Sequence, residues 1–371
     1  MEFFDLDEDP PGARPAPPVY VPVLKAHAGE LAALARMSQQ ARRRSYPLLE
    51  VMPDQGYRLH EPGGLMRWFA KLDQCWPKPV MVDGAHLSVR ETGGRTALRA
   101  LVQEARGLFR VMVPVIRLDA HAAVRADAAQ ALSEQGNGLA VRIMLTRADL
   151  DDLDTRGGAV SGRLRALLGD VGARPDEVDL IIDLAYVATD ADAHSAGSRL
   201  SRALGGLVGL DSYRRLVLVA GAFPADLGRV RSWSLTRLPR ADAAVWECLK
   251  STQPGRLPVY GDYAISHPGP RPPRPPWVRP SPQLRYTTTG SWLVLRGRQK
   301  GDPRRNGQFF DICQEIGDHP EFCSDLGPAD QCIADPRSHF DGPGGASRWN
   351  ELGTAHHVDF VVDSLIRSGL P

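Results

Sequence analysis

Tyr20-Val-Pro-Val-Leu-Lys25 is a short apolar run that ends in a charged side chain, and the same pattern recurs along the chain. Tyr46-Pro-Leu-Leu-Glu50, Pro79-Val-Met-Val-Asp83, Val111-Met-Val-Pro-Val-Ile-Arg117, Leu139-Ala-Val-Arg142 and Val178-Asp-Leu-Ile-Ile-Asp183 follow it. Arg215-Leu-Val-Leu-Val-Ala-Gly221 and Leu257-Pro-Val-Tyr-Gly-Asp262 complete the set. Their length, β-branched content and nearly continuous apolar character read as strands buried on both faces. Most of the intervals between them can hold a helix. The alternation gives an α/β chain, and the count of eight predicts a TIM-like (β/α)8 barrel with its polar mouth at the strands' carboxyl ends. A doubly wound open sheet uses the same alternation but gathers its polar residues near one switch point, whereas here they end most strands.

Helix signals fill the intervals. Gly29 to Met37 is rich in strong helix formers with Leu31, Leu34 and Met37 offset by three. Leu65 to Trp76 and Arg95 to Phe109 carry amphipathic stripes, and Asp119 is a suitable N-cap for a helix that runs to Gln135 before Gly136. Ser161 to Leu168, Ser195 to Leu204 and Ala241 to Ser251 supply the next three. The segment between the seventh and eighth strands is longer and less regular.

The 371 residues exceed a barrel of about 250. Residues 1–18 read as a disordered, proline-rich tail and 19–266 as the barrel. Residues 267–282, dense in proline, read as a stiff connector, and 283–371 as a C-terminal α+β extension packed on the barrel. That extension opens with a hairpin, Leu284 to Arg296, turning at Thr289-Gly290. It continues with a helix from Gln308 to Ile316, a loop to Asn350 and a final helix from His356 to Arg367.

With 45 basic and 44 acidic residues the net charge is +1, so no global field draws nucleic acid or an acidic membrane. No apolar stretch approaches the roughly 18 residues that cross a bilayer. The acidic N-terminus lacks a signal-peptide pattern, and five cysteines form no disulfide framework, so the chain reads as cytoplasmic.

The opening Tyr20-Val-Pro-Val-Leu-Lys25, Gly29-Glu30, Ala33-Leu34 and Pro47-Leu-Leu-Glu50 resemble the phage-associated Beta family. Tyr286-Thr-Thr, Trp292, Arg296 and the pair His356-His357 before an apolar helix resemble it too. The resemblance implies a setting on phages and mobile elements, with links to anti-phage defence, and no settled activity or catalytic set.

The strand ends supply the candidate chemistry. Glu50, Asp83, Asp183 and Asp262 are a carboxylate set suited to one or two divalent cations, magnesium or manganese. Lys25, Arg117 and Arg142 suit the oxygens of a phosphoryl group or another anionic or nucleotide ligand. Together they suggest a metal-dependent hydrolase of a phosphate-containing substrate, with His86 as ligand or proton carrier. His356 is a candidate acid or base, and Tyr286 and Arg296 are candidate substrate contacts across the hairpin. Opposite charges at a barrel mouth also neutralise one another, so the alternative is a non-catalytic protein that recognises a phage component or a defence-system partner. A nucleic-acid module, through Arg42 to Arg44 and Arg271, Arg274, Trp277 and Arg279, ranks below both.

Overall fold

The computed structural model describes residues 16–370, apart from 54–55, 89, 147, 151–158, 207–208, 253–254 and 271–279. Most of the expected tail and the core of the expected connector therefore lie outside the described residues. So do Arg271, Arg274, Trp277 and Arg279. Parallel strands β1 (Tyr20–Leu24), β2 (Leu48–Glu50), β3 (Val80–Asp83), β4 (Met112–Arg117), β5 (Leu139–Met144), β6 (Val178–Tyr186), β7 (Arg215–Gly221) and β9 (Val259–Asp262) close into one barrel. Strand β9 pairs with β7 on one side and with β1 on the other, Pro22 opposite Asp262. The fold is the (β/α)8 barrel that the strand count predicts.

Side chains alternate along each strand, as the pleat requires. Val21, Val23, Leu48, Met81, Val113, Val115, Ala140, Ile181, Val217 and Val219 pack into an inner cluster. Leu24, Leu49, Val82, Ile116, Val141, Ile182 and Leu218 belong to the outer core beneath the helices. Those helices are α1 (Ala28–Arg36), α2 (Gln39–Arg44), α3 (Gly64–Cys75), α4 (Ala97–Gly107), α5 (Ala122–Gln135), α6 (Ala159–Val171), α7 (Asp190–Gly206) and α8 (Ala241–Ser251). In α4 the Thr96 hydroxyl caps the Arg99 amide, and Leu98, Leu101, Val102 and Ala105 form the buried stripe. Helix α5 begins after His121 instead of Asp119 and stops at Gly136, whose φ is 65°.

The irregular segment before α8 contains a further strand, β8 (Thr236–Pro239). It pairs antiparallel with β11 (Ser291–Arg296), which pairs with β10 (Gln283–Thr287), so the expected hairpin is the centre and edge of a three-stranded sheet. Helices α9 (Gln308–Gly317), α10 (Pro328–Ala334) and α11 (Pro336–His339) follow. The last two occupy the region expected to be a loop.

The final helix, α12 (Ala346–Arg367), starts ten residues before the expected His356. It lies against α1, β10 and β1, the place that an eighth barrel helix fills. The crossing is close because two glycines permit it. A Cβ on Gly29 would collide with the Ser347 carbonyl oxygen, and one on Gly353 would stand 2.8 Å from the Arg285 carbonyl. Glu30, fully buried, ties α1 to the end of the barrel by accepting from the Ser266 hydroxyl at 3.0 Å.

Gly29→Ala should lower stability by about 1–3 kcal/mol, because the backbone of α12 must shift to admit the methyl group. Denaturant midpoints with an unchanged slope will check it. A chain that stops at residue 282 lacks α12 and should fail to give a cooperative unfolding transition, which calorimetry will read directly.

Candidate functional site

The inner face of the strand ends carries Lys25, Glu50, Asp83, Arg117, Arg142 and Asp183 by continuing the alternation of the inner cluster. Arg142 is the centre of the set and only 1% exposed. Its Nε donates to Asp183 Oδ2 at 2.8 Å, and its Nη1 donates to Glu50 Oε1 and Asp83 Oδ2, each at 2.8 Å. Its Nη2 donates to the Tyr263 hydroxyl at 2.5 Å, and that hydroxyl donates to Asp183 Oδ2 at 2.7 Å. Burial opposes the guanidinium charge, yet Tyr263, Asp183, Glu50 and Asp83 together outweigh it and hold the group above its ordinary range. Burial likewise pushes Glu50 up, but the Arg142 charge and the neighbouring His86 pull harder, and its carboxyl falls from 4.5 to about 2.

Three of the four expected metal ligands therefore converge on a guanidinium. The fourth, Asp262, faces the other way. Val259 and Tyr263 belong with the inner cluster, so the pleat turns Asp262 outward toward α12. There it accepts from Arg240 Nη2 at 3.1 Å, Tyr260 at 3.0 Å and the Ala264 amide at 2.8 Å, and from the Tyr20 hydroxyl. His357 Nε2 lies 3.0 Å from its Oδ2. Burial works against the Asp262 carboxylate, but His357, Arg240 and Tyr20 outweigh it and keep the group below the usual carboxylate range. Among the described residues no three or more His, Cys, Asp or Glu side chains are arranged to hold a metal ion. The expected four-carboxylate centre is corrected accordingly.

Two other expectations are corrected. His356 is fully buried in the middle of α12. It donates from Nε2 to the Thr287 carbonyl at 2.8 Å, and its Nδ1 lies 2.9 Å from Asp330. Tyr286 stacks on it at 3.7 Å between ring centroids and donates to Asp330 at 2.8 Å. Neither side chain reaches the mouth. Arg296 also stands apart, donating to the Leu227 carbonyl at 3.1 Å. Thr287, His357 and Asp262 are linked hydroxyl to imidazole to carboxylate. The order is that of a nucleophilic triad, but Thr287 and His357 are fully buried and Asp262 is 1% exposed, so no substrate reaches it.

At the mouth, Arg117 donates from Nη2 to Asp83 at 3.0 Å with a quarter of its side chain exposed. His86, equally exposed, places Nε2 3.8 Å from Glu50 Oε1. Lys25 is buried and donates to the Gly269 carbonyl, and a Cβ on Gly221 would strike Pro268. Residues 268–269 thus lie over the β1 and β7 ends. Of the basic run, Arg42 donates to the Leu34 carbonyl at 2.7 Å and packs over the Trp76 ring.

Residues missed from sequence are Tyr263, which completes the Arg142 cage, and Tyr20, Arg240, Asp242 and Tyr260 in the outer network. A signal existed. Asp83-Gly-Ala85, Asp183-Leu-Ala185 and Asp262-Tyr-Ala264 repeat one turn, in which Asp Oδ1 accepts from the amide two residues on at 2.8, 2.7 and 2.8 Å.

The model of the family described as Beta protein matches residues 20–363, from the first barrel strand into the last turns of α12. The chain belongs to the Beta protein family. No curated protein matches it. Among solved structures it is similar to triosephosphate isomerase of Bartonella henselae, at 14% identity and a TM-score of 0.35 over 66% of this chain and 90% of that one. It is also similar to the multifunctional pyruvate carboxylase of Rhizobium etli, at 13% identity and a TM-score of 0.36 over 92% of this chain and 27% of that one. At such scores neither likeness carries an argument about this Beta protein, whose barrel rests on its own strand pairing. Among the described residues no helix is long and apolar enough to cross a membrane.

Arg142→Met should destabilise by about 3–5 kcal/mol at pH 7, because three carboxylates lose their buried counter-charge. In the wild type Glu50 contributes stability above its unfolded value of 4.5 that is lost as pH falls toward about 2. In the variant Glu50 loses the Arg142 charge while burial still raises its carboxyl, so the stability that the wild type gains from ionised Glu50 at pH 7 is reduced and the deficit should shrink as pH falls from 7 to 4.5. Unfolding curves at both values will check the sign.

Proposed function

We propose that this Beta protein is a non-catalytic recognition protein whose barrel mouth is a charge-neutralised plug, and that it binds a phage component or a partner protein through its outer surfaces. One observation carries the reading: the Arg142 guanidinium occupies the point where Glu50, Asp83 and Asp183 converge, so each carboxylate that a metal would need is already paired with a cation. The inner set is balanced, Lys25, Arg117 and Arg142 against Glu50, Asp83 and Asp183, and all but Arg117 are buried. Such a set favours a rigid scaffold over a site that must open for an ion. The phage setting is the one that the family resemblance implies.

A second reading keeps a hydrolase of a phosphate-containing substrate, without the four-carboxylate metal centre. It is favoured by the partly exposed His86 and Arg117, and by Glu50 Oε2, buried without a hydrogen-bond partner among the described residues. There His86, beside Glu50, serves as acid or base and Arg117 orients phosphoryl oxygens.

A phosphoester screen with added magnesium or manganese separates the readings. Wild type should show no metal-dependent turnover, and Asp83→Ala should lose stability. Metal-dependent turnover that vanishes in an Asp83→Ala protein of unchanged melting temperature would sink the recognition reading. Metal-independent turnover lost on His86→Ala would favour the second.

A further inference from the structure

Charge is distributed unevenly over this Beta protein. The whole chain balances 45 basic against 44 acidic side chains, yet residues 226–233 and 296–306 hold seven basic and two acidic ones. The first stretch leads from β7 toward β8, and the second leaves β11 for α9. They lie side by side. The Trp233 amide donates to the Arg296 carbonyl at 2.8 Å, and the Ser232 hydroxyl donates to the Gly297 carbonyl at 3.1 Å. Arg229, Arg231, Arg298, Lys300 and Arg305 are all exposed on the joined surface.

We propose that this surface binds the phosphate backbone of double-helical nucleic acid. The proposal concerns these outer loops alone and does not depend on how the barrel mouth is read.

Two arginines of the cluster serve the fold. Arg304 lies over the Trp233 ring at 4.7 Å and donates to both oxygens of Asp302, at 3.0 and 2.7 Å, and to Asp311 at 2.7 Å. Arg296 donates to the Leu227 carbonyl at 3.1 Å. Among the described residues the other five cations form no ion pair, and Arg298 adds only a longer-range attraction to the Asp302 that Arg304 already holds. A solvated face ordinarily intersperses both signs. Here the neighbouring carboxylates are occupied and the surplus is positive.

The surface is also preformed. Gln308, fully buried at the start of α9, accepts from the Arg298 amide at 2.7 Å and donates to the Arg298 and Arg305 carbonyls at 3.0 and 2.8 Å. One side chain thus clamps both ends of the 298–305 loop. Val230 is buried at 3% exposure between Arg229 and Arg231, which stay at the surface on either side of it. Loops held in place before contact lose less freedom when phosphates arrive, and the guanidinium fork matches phosphate oxygens. The partner is double-helical because the surface offers charge without stacking. The one aromatic residue of the two stretches, Trp233, is half-buried with Arg304 over its ring, whereas single strands are held by rings on which bases stack. A duplex presents about one phosphate charge per 1.7 Å of its axis, so cations on two adjacent loops can meet several at once.

Fluorescence anisotropy of a labelled DNA duplex of about 20 base pairs, titrated with the full chain at several salt concentrations, tests the proposal. The duplex should bind at about 50 mM salt, and log K should fall against log salt with a slope steeper than about −2, reaching about −4.5 if all five cations meet a phosphate. Arg229→Gln with Arg231→Gln, and separately Arg298→Gln with Lys300→Gln, should each weaken binding about tenfold or more and make the slope shallower by about two, at an unchanged melting temperature. Arg163→Gln with Arg165→Gln on α6 removes the same charge elsewhere and should change neither affinity nor slope. The proposal is overturned if the duplex does not bind, if the slope is shallower than about −2, or if the α6 pair weakens binding as much as the loop pairs. Tighter binding of a single strand of the same length, or of polyglutamate as a stand-in for an acidic protein, also overturns it. Should one loop pair fail to fold, the other decides.

Discussion

A guanidinium buried among carboxylates is stable only while every partner stays in place, and Arg142 sets that condition for the barrel. Its donors reach strands β2, β3 and β6 and the residue after β9, so one side chain from β5 reads the position of half the barrel. A slip of one residue in any of those strands would turn a carboxylate outward and leave the others uncompensated in a medium of low dielectric. Hydrophobic strands of similar composition can pair in more than one register. The polar ends distinguish the native register from its neighbours. The same constraint explains why so much charge stands at the mouth with so little of it exposed.

The strands and the closed count were legible because they depend on local composition and repeat, which a linear reading detects. At Asp262 the deciding residue lies past the apolar run: Val259 and Tyr263 face inward, so the pleat turns Asp262 outward even though it is the charged residue that closes the run. His356 and His357 could not be placed in the same way. Their burial follows from the docking of α12 on the barrel, and the helix start at Ala346 is set by packing against Gly29 more than by any cap residue. Strand β8, Thr236-Arg-Leu-Pro239, is short, half exposed and ends in proline, so nothing in its own pattern calls for a strand until β11 is beside it.

The role of α12 changes how the chain divides. By order it follows an insertion of some eighty residues; by position it covers β9 and β1 as the eighth helix of the ring. The His357 imidazole and the Asp262 carboxylate meet across that interface, with Tyr20 and Arg240 around them. A polar network buried there needs all its members, and only the completed chain supplies them. The family match running to residue 363 includes that helix as well as the strands.

Backbone geometry at the strand ends bears on what kind of function the mouth permits. Ala26, Ala185 and Ala264 have φ of 51°, 51° and 49°; Ala26 and Ala264 lie two residues past β1 and β9, and Ala185 sits at the register shift near the end of β6. Residues with side chains adopt this region at a cost of about 1–3 kcal/mol each, and only where the surroundings dictate it. Two of the three are fixed by the repeated turn in which an aspartate, itself held by an arginine, accepts from the alanine amide. Charge network and strained turn therefore support one another, and loosening either releases both. A mouth built this way resists the rearrangement that admitting an ion among its carboxylates would require. It is instead suited to hold the outer loops and the inserted sheet at fixed distances, and a preformed surface of that kind is what the proposed recognition role requires.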